Sequence, residues 1–395
     1  MAVAGSWRQD DAGNLKDGGG VFQVCTRTVM DTTDPDITFD DAGVSNYWHE
    51  YQAFKAALPT REARDATLAT TLEAIKRSGR GKRYDCVLGL SGGVDSSYLA
   101  YVAKQHGLRP LVMHFDNGWN SELAVSNIEK LVSGLGYDLE TFVMDWEEFR
   151  DVQRAYFKAS VLDLEVPTDH MIMGALYRIA ARKGIKYVLS GTNSATEWLL
   201  PKAWYYRKLD LVNLKAIHKR FGDRPLRKLP SLGLWQQVYF DRVRRISSAA
   251  LLELVDYDKS AATRLLATDF GWRDYGGKHH ESVFTRFYQG YILPKKFGID
   301  KRKAHLSSLI LSGQITREQA LAELQQPPYD ERLQEQDKQY VAKKLGFSGP
   351  EFEAVLTQPN HAHEDYGTDL DQRRLYFKAL KTFGGPVRWL RSLRG

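Results

Sequence analysis

Apolar and polar positions along the 395-residue chain change period several times, and those changes divide it. No period holds through the first sixty or so residues. Met1–Gly20, rich in Gly and Asp, reads as a flexible leader (1–20), and 21–60 as an irregular segment. Its Asp31, Asp34, Asp36, Asp40 and Asp41 read as turns and caps, because the Gly and terminal Glu of a calcium loop are missing. Residues Arg61–Ser78 carry a helical period. Tyr84–Leu90 is a short apolar run of the kind a buried parallel strand shows. A Gly-rich turn, Ser91–Ser97, follows it, and then a predicted helix over Tyr98–His106. Further strands are predicted over Pro110–Asp116, Tyr137–Asp145 and Lys186–Ser190, with helices over Ser121–Leu135, Glu147–Val161 and Asp169–Lys183. Alternation at this spacing predicts an α/β fold built on a doubly wound parallel sheet. Beyond Ser248 the pattern turns mainly helical, with a fifth strand expected near Leu251–Val255. The expected organisation is one α/β domain over 61–247, with an insertion at 201–245, and a mainly helical substrate or partner region over 248–395.

Composition narrows the class. Apolar residues make up 43%, charged 26% and aromatic 12%, the balance of a soluble globular protein. No apolar run approaches the roughly 18 residues needed to span a bilayer, so no transmembrane segment is expected. The N-terminus lacks the apolar stretch of a signal peptide. Two cysteines, Cys25 and Cys86, exclude a disulfide framework, a Cys₃ or Cys₄ zinc site and a Cys-x-x-Cys pair. A cytoplasmic location is the expectation.

Charge is unevenly spread. The net charge is only +6, yet Pro201–Arg245 holds twelve basic and three acidic residues, leaving the rest of the chain slightly negative. Trp204, Tyr205, Tyr206, Trp235, Tyr239 and Phe240 are interleaved with them. Such a stripe suits RNA, a nucleotide-sugar or an acidic partner, and equally an ordinary solvated face over buried aromatics.

The most informative stretch is Ser91-Gly-Gly-Val-Asp-Ser-Ser97, between a strand and a helix. Two glycines let successive N–H groups converge, the helix N-terminus adds its positive dipole end, and Ser91, Ser96 and Ser97 add hydroxyls, so the loop can cradle phosphate. Asp95 would repel phosphate unless it holds Mg²⁺ against it. The loop is neither a Walker A motif nor a dinucleotide fingerprint. Gly89-Leu-Ser-Gly-Gly93 also fits a Gly-x-Ser-x-Gly nucleophile elbow, but that reading leaves Asp95, Ser96 and Ser97 unexplained.

Ser-Gly-Gly-x-Asp-Ser at the end of a first strand resembles the PP-loop ATP pyrophosphatases, which implies a PP-loop/HUP-like sheet. It also implies cleavage of ATP to AMP and pyrophosphate with adenylylation of a substrate oxygen. By that resemblance Leu90, Ser91, Gly92, Gly93, Val94, Asp95, Ser96 and Ser97 bind ATP, with Asp95 a metal ligand. Ser190-Gly-Thr-Asn-Ser-Ala-Thr-Glu-Trp198 is similar to a stretch of NAD synthetases, which makes Glu197 the second Mg²⁺ carboxylate and puts Gly191 and Thr192 at the nucleotide. The bland alternative is a Glu197 that simply opens a helix. Met113–Trp119 closes the second strand, where His114, Phe115 and Asp116 would flank the adenine; ordinary packing is the other reading of His114 and Phe115.

Neither cysteine sits in a glutaminase motif, so the chain is not expected to hydrolyse glutamine. A lysidine-type tRNA ligase survives these tests. A longer resemblance goes further. Cys25–Asp31, Asp36–Asp40, Tyr205–His218, Asp274–Ser282, Phe284–Pro294 and Phe297–Ser307 resemble the N-acetyl sugar amidotransferases of bacterial surface-polysaccharide pathways. That family implies an ATP-dependent amidotransferase on a UDP-linked N-acetyl sugar, for lipopolysaccharide O-antigen or similar polysaccharide. ATP adenylylates the acetamido oxygen, and ammonia displaces AMP to leave an acetamidine. Ammonia would come from a separate glutaminase with a barrel-shaped partner resembling the histidine-pathway synthase pair. Nucleic acid is not expected as a partner, and a homo-oligomer stays open. Many relatives carry an N-terminal cysteine-rich zinc site; here Thr28, Ser45 and Tyr47 replace ligands beside Cys25 and His49, so no structural zinc is expected. On the substrate side the candidates are Lys278, His279, Glu281, Arg286 and Tyr288, with Lys278 also catalytic beside Asp95 and Glu197. Gly276-Gly277 would allow close backbone approach, and Lys278 or Arg286 would hold a diphosphate. The alternative for these is a helix-start or surface role. His361-Ala-His363 lacks a third ligand and reads as a loop. Arg388–Arg394 is amphipathic, but one short tail without a second anchor carries little weight.

Overall fold

The computed structural model describes residues 22–276 and 280–380, together with two short strands, Trp7–Gln9 and Leu15–Asp17, paired antiparallel within the expected leader. Two helices, α1 (Asn46–Ala56) and α2 (Arg61–Ser78), precede the sheet. The sheet has five short strands: β1 (Cys86–Gly89), β2 (Pro110–Asp116), β3 (Asp138–Val143), β4 (Tyr187–Leu189) and β5 (Ser247–Ala249). Their order is β3-β2-β1-β4-β5 and every neighbouring pair is parallel. Parallel neighbours need crossover connections. Helices supply them: α3 (Val94–Gln105), α4 (Glu122–Leu135), α5 (Trp146–Ala159) and α6 (Val166–Lys183).

Alternation along the strands feeds two cores, one per face. Val87, Leu111, Met113 and Phe115 enter one with α5 and α6, whereas Cys86, Leu88 and Val112 enter the other with α2, α3 and α4. The doubly wound sheet is thus present as expected, but its fifth strand is not where the apolar run suggested. Leu251 and Leu252 are both buried in the same core, which successive strand positions cannot achieve, and Leu251–Glu253 forms a 3₁₀ turn instead. The strand is the unremarkable Ser-Ser-Ala before it. Helix α3 likewise starts at Val94, four residues earlier than expected, with Gly93 at its N-cap, so half of the glycine-rich turn belongs to a helix.

Between β4 and β5 lie a short helix α7 (Ser194–Glu197), then α8 (Leu211–Phe221) and α9 (Leu234–Val238). This is the basic stripe: several of its aromatics are interior, while most of its basic side chains are exposed, Lys215, Lys219, Arg220, Arg227 and Lys228 among them. Trp204, Tyr206 and Phe240 are buried. Lys208 bridges Asp163 at 2.8 Å and Asp169 at 3.0 Å, and Arg207 pairs with Asp210 and Asp369, each at 2.5 Å. Burial of Asp163, Asp210 and Asp369 here is tolerable because each meets a cation, while Asp169 stays partly exposed. His363, one of the paired histidines 361 and 363, closes the network. Its Nδ1 donates to Asn213 at 2.9 Å and its Nε2 accepts the Asp163 N–H at 3.3 Å, with its ring stacked 4.0 Å from that of Tyr206.

After α10 (Lys259–Phe270), the C-terminal region runs through helices Val283–Phe287, Leu293–Phe297, Lys301–Leu311, Arg317–Leu324, Glu331–Leu345 and Gly349–Thr357. It shares the first core, where Phe284, Phe287, Tyr288 and Phe352 pack with Phe149 and Phe157 of α5, and adds a small cluster in which Leu306 and Ala320 meet Val29. At the N-terminus Cys25, Thr28 and Ser45 meet in a buried knot, where the Cys25 Sγ accepts N–H groups of Arg27, Thr28 and Ser45 at 3.3–3.4 Å. Burial raises that thiol, but the hydrogen bonds from Ser45, Thr28 and Arg27 outweigh it and bring it below its ordinary value. His49 stands apart, paired with Asp40 at 2.9 Å. Among the described residues no helix is long and apolar enough to cross a membrane.

Candidate active site

Strand order sets the location of the site. From β1 the chain winds toward β2 and β3 on one side and later toward β4 and β5 on the other, so the sheet reverses between β1 and β4. In open α/β sheets the crevice beyond the carboxyl ends at such a reversal is where ligands sit. The loop after β1 (Leu90–Gly93) and the loop after β4 (Ser190–Asn193) are the two that face each other there. A Cβ on Gly191 would lie 3.6 Å from the Ser96 N and 3.7 Å from the Asp95 carbonyl carbon, ordinary contact between the two loops.

The first loop curls on its own hydroxyls. Ser91 Oγ accepts the Gly93 N–H at 3.2 Å and lies 3.2 Å from Ser96 Oγ, which in turn donates to the Gly93 carbonyl at 3.1 Å. Gly92 has φ +89°, a conformation that favours glycine. Its carbonyl is held from outside by Trp272 Nε1 and the Tyr275 hydroxyl, both donating at 2.9 Å. Asn127 braces that clamp, donating to Tyr275 at 3.0 Å and to the Arg273 carbonyl at 2.8 Å. Because C=O and N–H point oppositely across a planar peptide, fixing the Gly92 carbonyl outward fixes the Gly93 N–H inward. The first turn of α3 then contributes backbone N–H groups that no helical carbonyl can satisfy.

Asp95 lies in that first turn and receives a hydrogen bond from the Tyr257 hydroxyl. Burial first, then the charges of Asp95 and Glu197, push the Tyr257 hydroxyl well above its ordinary value, so it stays a proton donor. The charge of Glu197 adds to that of Asp95 in raising this hydroxyl. Glu197 is exposed and closes the one-turn helix α7, so it also lies in that helix's first turn, as the alternative reading had it. Beside it His305 Nδ1 donates to the Thr196 carbonyl at 3.1 Å, while its Nε2 faces Lys259 Nζ at 3.2 Å. Two oxygen-bearing side chains and a phosphate loop suit a hard cation that keeps water and phosphate oxygens as its other ligands. Among the described residues no group of three or more His, Cys, Asp or Glu side chains is arranged to hold a metal on its own.

The C-terminal region reaches this crevice. Asn120 pairs with Ser282, and the Ser121 N–H donates to the Glu281 carbonyl at 2.9 Å. The Glu281 carboxylate reaches Gly93, its Oε1 3.1 Å from where a Cβ would stand. Lys278 and His279 lie outside the described residues.

Four expectations need correction. Arg286 is not available to a diphosphate: its Nε and Nη2 bind both oxygens of Asp337, at 2.8 and 2.9 Å, in a nearly buried pair. Tyr288 is fully buried and its hydroxyl donates to the Leu162 carbonyl at 2.8 Å. His114 is buried with both ring nitrogens engaged, Nδ1 donating to the Leu90 carbonyl at 3.3 Å and Nε2 accepting from Asn120 at 3.2 Å. Phe115 is buried and stacked 5.7 Å from Phe142. His114 and Phe115 are the packing residues of the bland reading. Asp116 turns the chain by accepting the Gly118 N–H at 2.9 Å. Thr192 is exposed and hydrogen-bonded to Ser190 at 2.8 Å. Sequence reasoning missed Tyr257, Trp272, Tyr275 and Asn127. The Trp-Arg-Asp-Tyr run just before Gly276-Gly277 was a usable signal for the clamp, whereas nothing near Tyr257 marks it.

Residues 73–196 match the asparagine synthase family, which falls within the PP-loop ATP pyrophosphatases, and residues 281–381 match the family described as LPS biosynthesis protein WbpG-like, C-terminal domain. No curated protein gives a match. Among solved structures, an NH3-dependent NAD synthetase from Campylobacter jejuni is similar at 15% identity and TM-score 0.32, covering 75% of this chain and 98% of its own. An NMN synthetase from Francisella tularensis is similar at 16% identity and TM-score 0.28, over 58% of this chain and 93% of its own. A predicted subunit of a tRNA methyltransferase from Methanocaldococcus jannaschii is similar at 14% and 0.28, over 46% and 75%. At such scores the fold rests on the sheet order above.

Proposed function

We propose, for a chain that joins a PP-loop ATP pyrophosphatase domain to a WbpG-like C-terminal domain, that it is an ATP-dependent amidotransferase converting an acetamido group of a UDP-linked N-acetyl sugar into an acetamidine. The observation that carries this reading is the meeting of the two regions: Glu281, the first residue of the WbpG-like match, lies against Gly93 of the phosphate loop. A substrate specific to the second region would thereby reach the phosphate held by the first.

An amide oxygen is a poor leaving group and AMP a good one, so activation must precede substitution. The first-turn N–H groups of α3 and the serine hydroxyls would bind the phosphates of ATP, with Trp272 and Tyr275 holding the loop in shape. Glu281 would accept a hydrogen bond from the acetamido N–H, raising electron density on the oxygen that attacks the α-phosphate. Pyrophosphate leaves, and the sugar carries an O-adenylylated imidate. Ammonia then adds to the imidate carbon and AMP departs with the former amide oxygen. Mg²⁺ held by Asp95 and Glu197 would offset charge on the departing pyrophosphate. Tyr257 would fix the Asp95 carboxylate for that purpose. Lys278 and His279 remain proposed substrate contacts, with Lys278 also a proposed catalytic cation.

Both cysteines are buried, and burial raises the Cys86 thiol far above its usual range, which supports ammonia made elsewhere. A separate glutaminase with a barrel-shaped, histidine-pathway-like partner would supply it. Arg207 and Lys208 of the basic stripe are paired with buried carboxylates, whereas Lys215, Lys219, Arg220, Arg227 and Lys228 are exposed, so the tRNA-ligase alternative keeps part of its support and is decided by the assay. The test is AMP and pyrophosphate release from ATP with ammonium chloride and UDP-diacetamido sugars, against bulk tRNA. Sugar-dependent release with a product lighter by one mass unit supports the proposal. Release with tRNA alone replaces it.

A further inference from the structure

We infer that the chain has a peripheral docking surface for an anionic lipid bilayer, formed by the helix over residues 370–380 and the α9 segment beside it. The helix is joined to the body through Arg373, whose Nε donates to Asp369 at 2.8 Å, and through Tyr376, which meets Trp235 edge-on at 6.1 Å. Leu370, Phe377 and Leu380 recur on the side that carries Tyr376, and remain 40, 53 and 36% exposed. Leu375 is 68% exposed. Across the contact, Trp235, Tyr239 and Val243 follow one another at four-residue spacing and are 61, 46 and 66% exposed. Large apolar side chains gathered on two neighbouring elements exceed the scatter normal for a surface.

Charge selects the occupant. From Gln372 to Gly395 the sequence has seven basic residues and no acidic one, with Phe383, Val387, Trp389, Leu390 and Leu393 among them. Arg374 and Lys378 lie on the described part of the helix, and Arg242 and Arg245 are exposed beyond Tyr239. The nearby acidic groups, Asp371 and Asp241, pair with Arg374 at 3.4 Å and Arg242 at 3.1 Å, so those two pairs cancel and the excess positive charge comes from the remaining cations of the segment. Two copies of this face would oppose cation to cation, which disfavours self-association. Aromatic and aliphatic side chains interspersed with Arg and Lys are what an anionic leaflet binds: the apolar groups enter the headgroup boundary and the cations meet phosphates. Arg388–Arg394 lies outside the described residues.

The experiment is co-sedimentation of the full chain with vesicles of phosphatidylcholine alone or mixed with phosphatidylglycerol, at low and high salt. Binding to the mixed vesicles, weakened by salt and at least roughly tenfold stronger than to neutral ones, is expected. Val243→Ser with Phe377→Ser, and separately Arg374→Glu with Lys378→Glu, should each abolish it. These side chains are exposed, so thermal unfolding should not change. Failure to bind the mixed vesicles overturns the proposal and leaves an acidic protein as the occupant. Equal binding to neutral vesicles, or binding that survives both variants, also overturns it. So does a concentration-dependent doubling of mass that the Ser variant removes, since it would assign the face to a second copy.

Discussion

Arg286 separates a structural role from a binding role. Arg286→Ala removes the group that holds both oxygens of Asp337, whose side chain is only 5% exposed beside an arginine 15% exposed. The carboxylate would be left nearly buried without its cation, which costs about 3–5 kcal/mol when one partner of such a pair is deleted. The guanidinium also lies over the Tyr329 ring at 5.6 Å, so packing is lost with the charge. With a urea dependence of about 2–3 kcal/mol per molar, the unfolding midpoint should fall by roughly 1–2 M. Arg286→Met combined with Asp337→Leu should recover most of the loss, because an apolar pair of similar volume avoids the desolvation penalty. The assay is urea denaturation followed by fluorescence, with KM for the nucleotide-sugar measured on the folded protein. A single variant within about 0.5 kcal/mol of the parent, the range of ordinary surface changes, but with a KM raised tenfold, would refute the reasoning and return Arg286 to the diphosphate.

Gly92→Ala should damage the loop. The residue has φ +89°, and a Cβ there would come 2.8 Å from the Tyr275 hydroxyl and 3.0 Å from the Ala124 carbonyl oxygen. Backbone strain of about 1–2 kcal/mol and a displaced hydrogen bond worth about 1 kcal/mol should raise KM for ATP at least tenfold, read from initial rates of pyrophosphate release. Asp95→Asn should leave the unfolding midpoint almost unchanged and abolish AMP formation; unchanged turnover would remove Asp95 from the metal site. His170 and His363 are held neutral by burial, each pushed down to about 4, and each donates from Nδ1 and accepts at Nε2. Between that value and about 6.5 the unfolded chain binds protons that the folded chain refuses. Stability should therefore fall as pH drops through this window, by up to about 1.4 kcal/mol per pH unit for each histidine, and level off above it. Urea titrations at stepped pH check the slope.

The parts of this protein legible in sequence were those where backbone chemistry leaves a local mark. Ser-Gly-Gly-Val-Asp-Ser announced a phosphate loop because only glycines permit its curl, and the apolar runs at 84–90 and 110–116 announced buried strands. β5 escaped because Ser-Ser-Ala has no strand signature, and its pairing with β4 is a tertiary fact. Arg286 and Tyr288 misled for a related reason. Their residue types suit nucleotide-sugar recognition, yet their partners, Asp337 and the Leu162 carbonyl, are 51 and 126 residues away in sequence. Lys208 of the basic stripe misled in the same way, since the carboxylates that absorb it, Asp163 and Asp169, come before β4. Tyr257 lies 162 residues from Asp95, and no local pattern anticipates their contact.

The central claim is that the acetamido oxygen itself attacks ATP. Its most direct test uses a UDP-diacetamido sugar labelled with ¹⁸O in the acetamido groups, with ATP and ammonium chloride, followed by mass spectrometry of the nucleotide products. The account predicts AMP two mass units heavier, formed in step with a sugar product that has lost one of its two labels. AMP without the label, or ADP and phosphate in place of AMP and pyrophosphate, would contradict it.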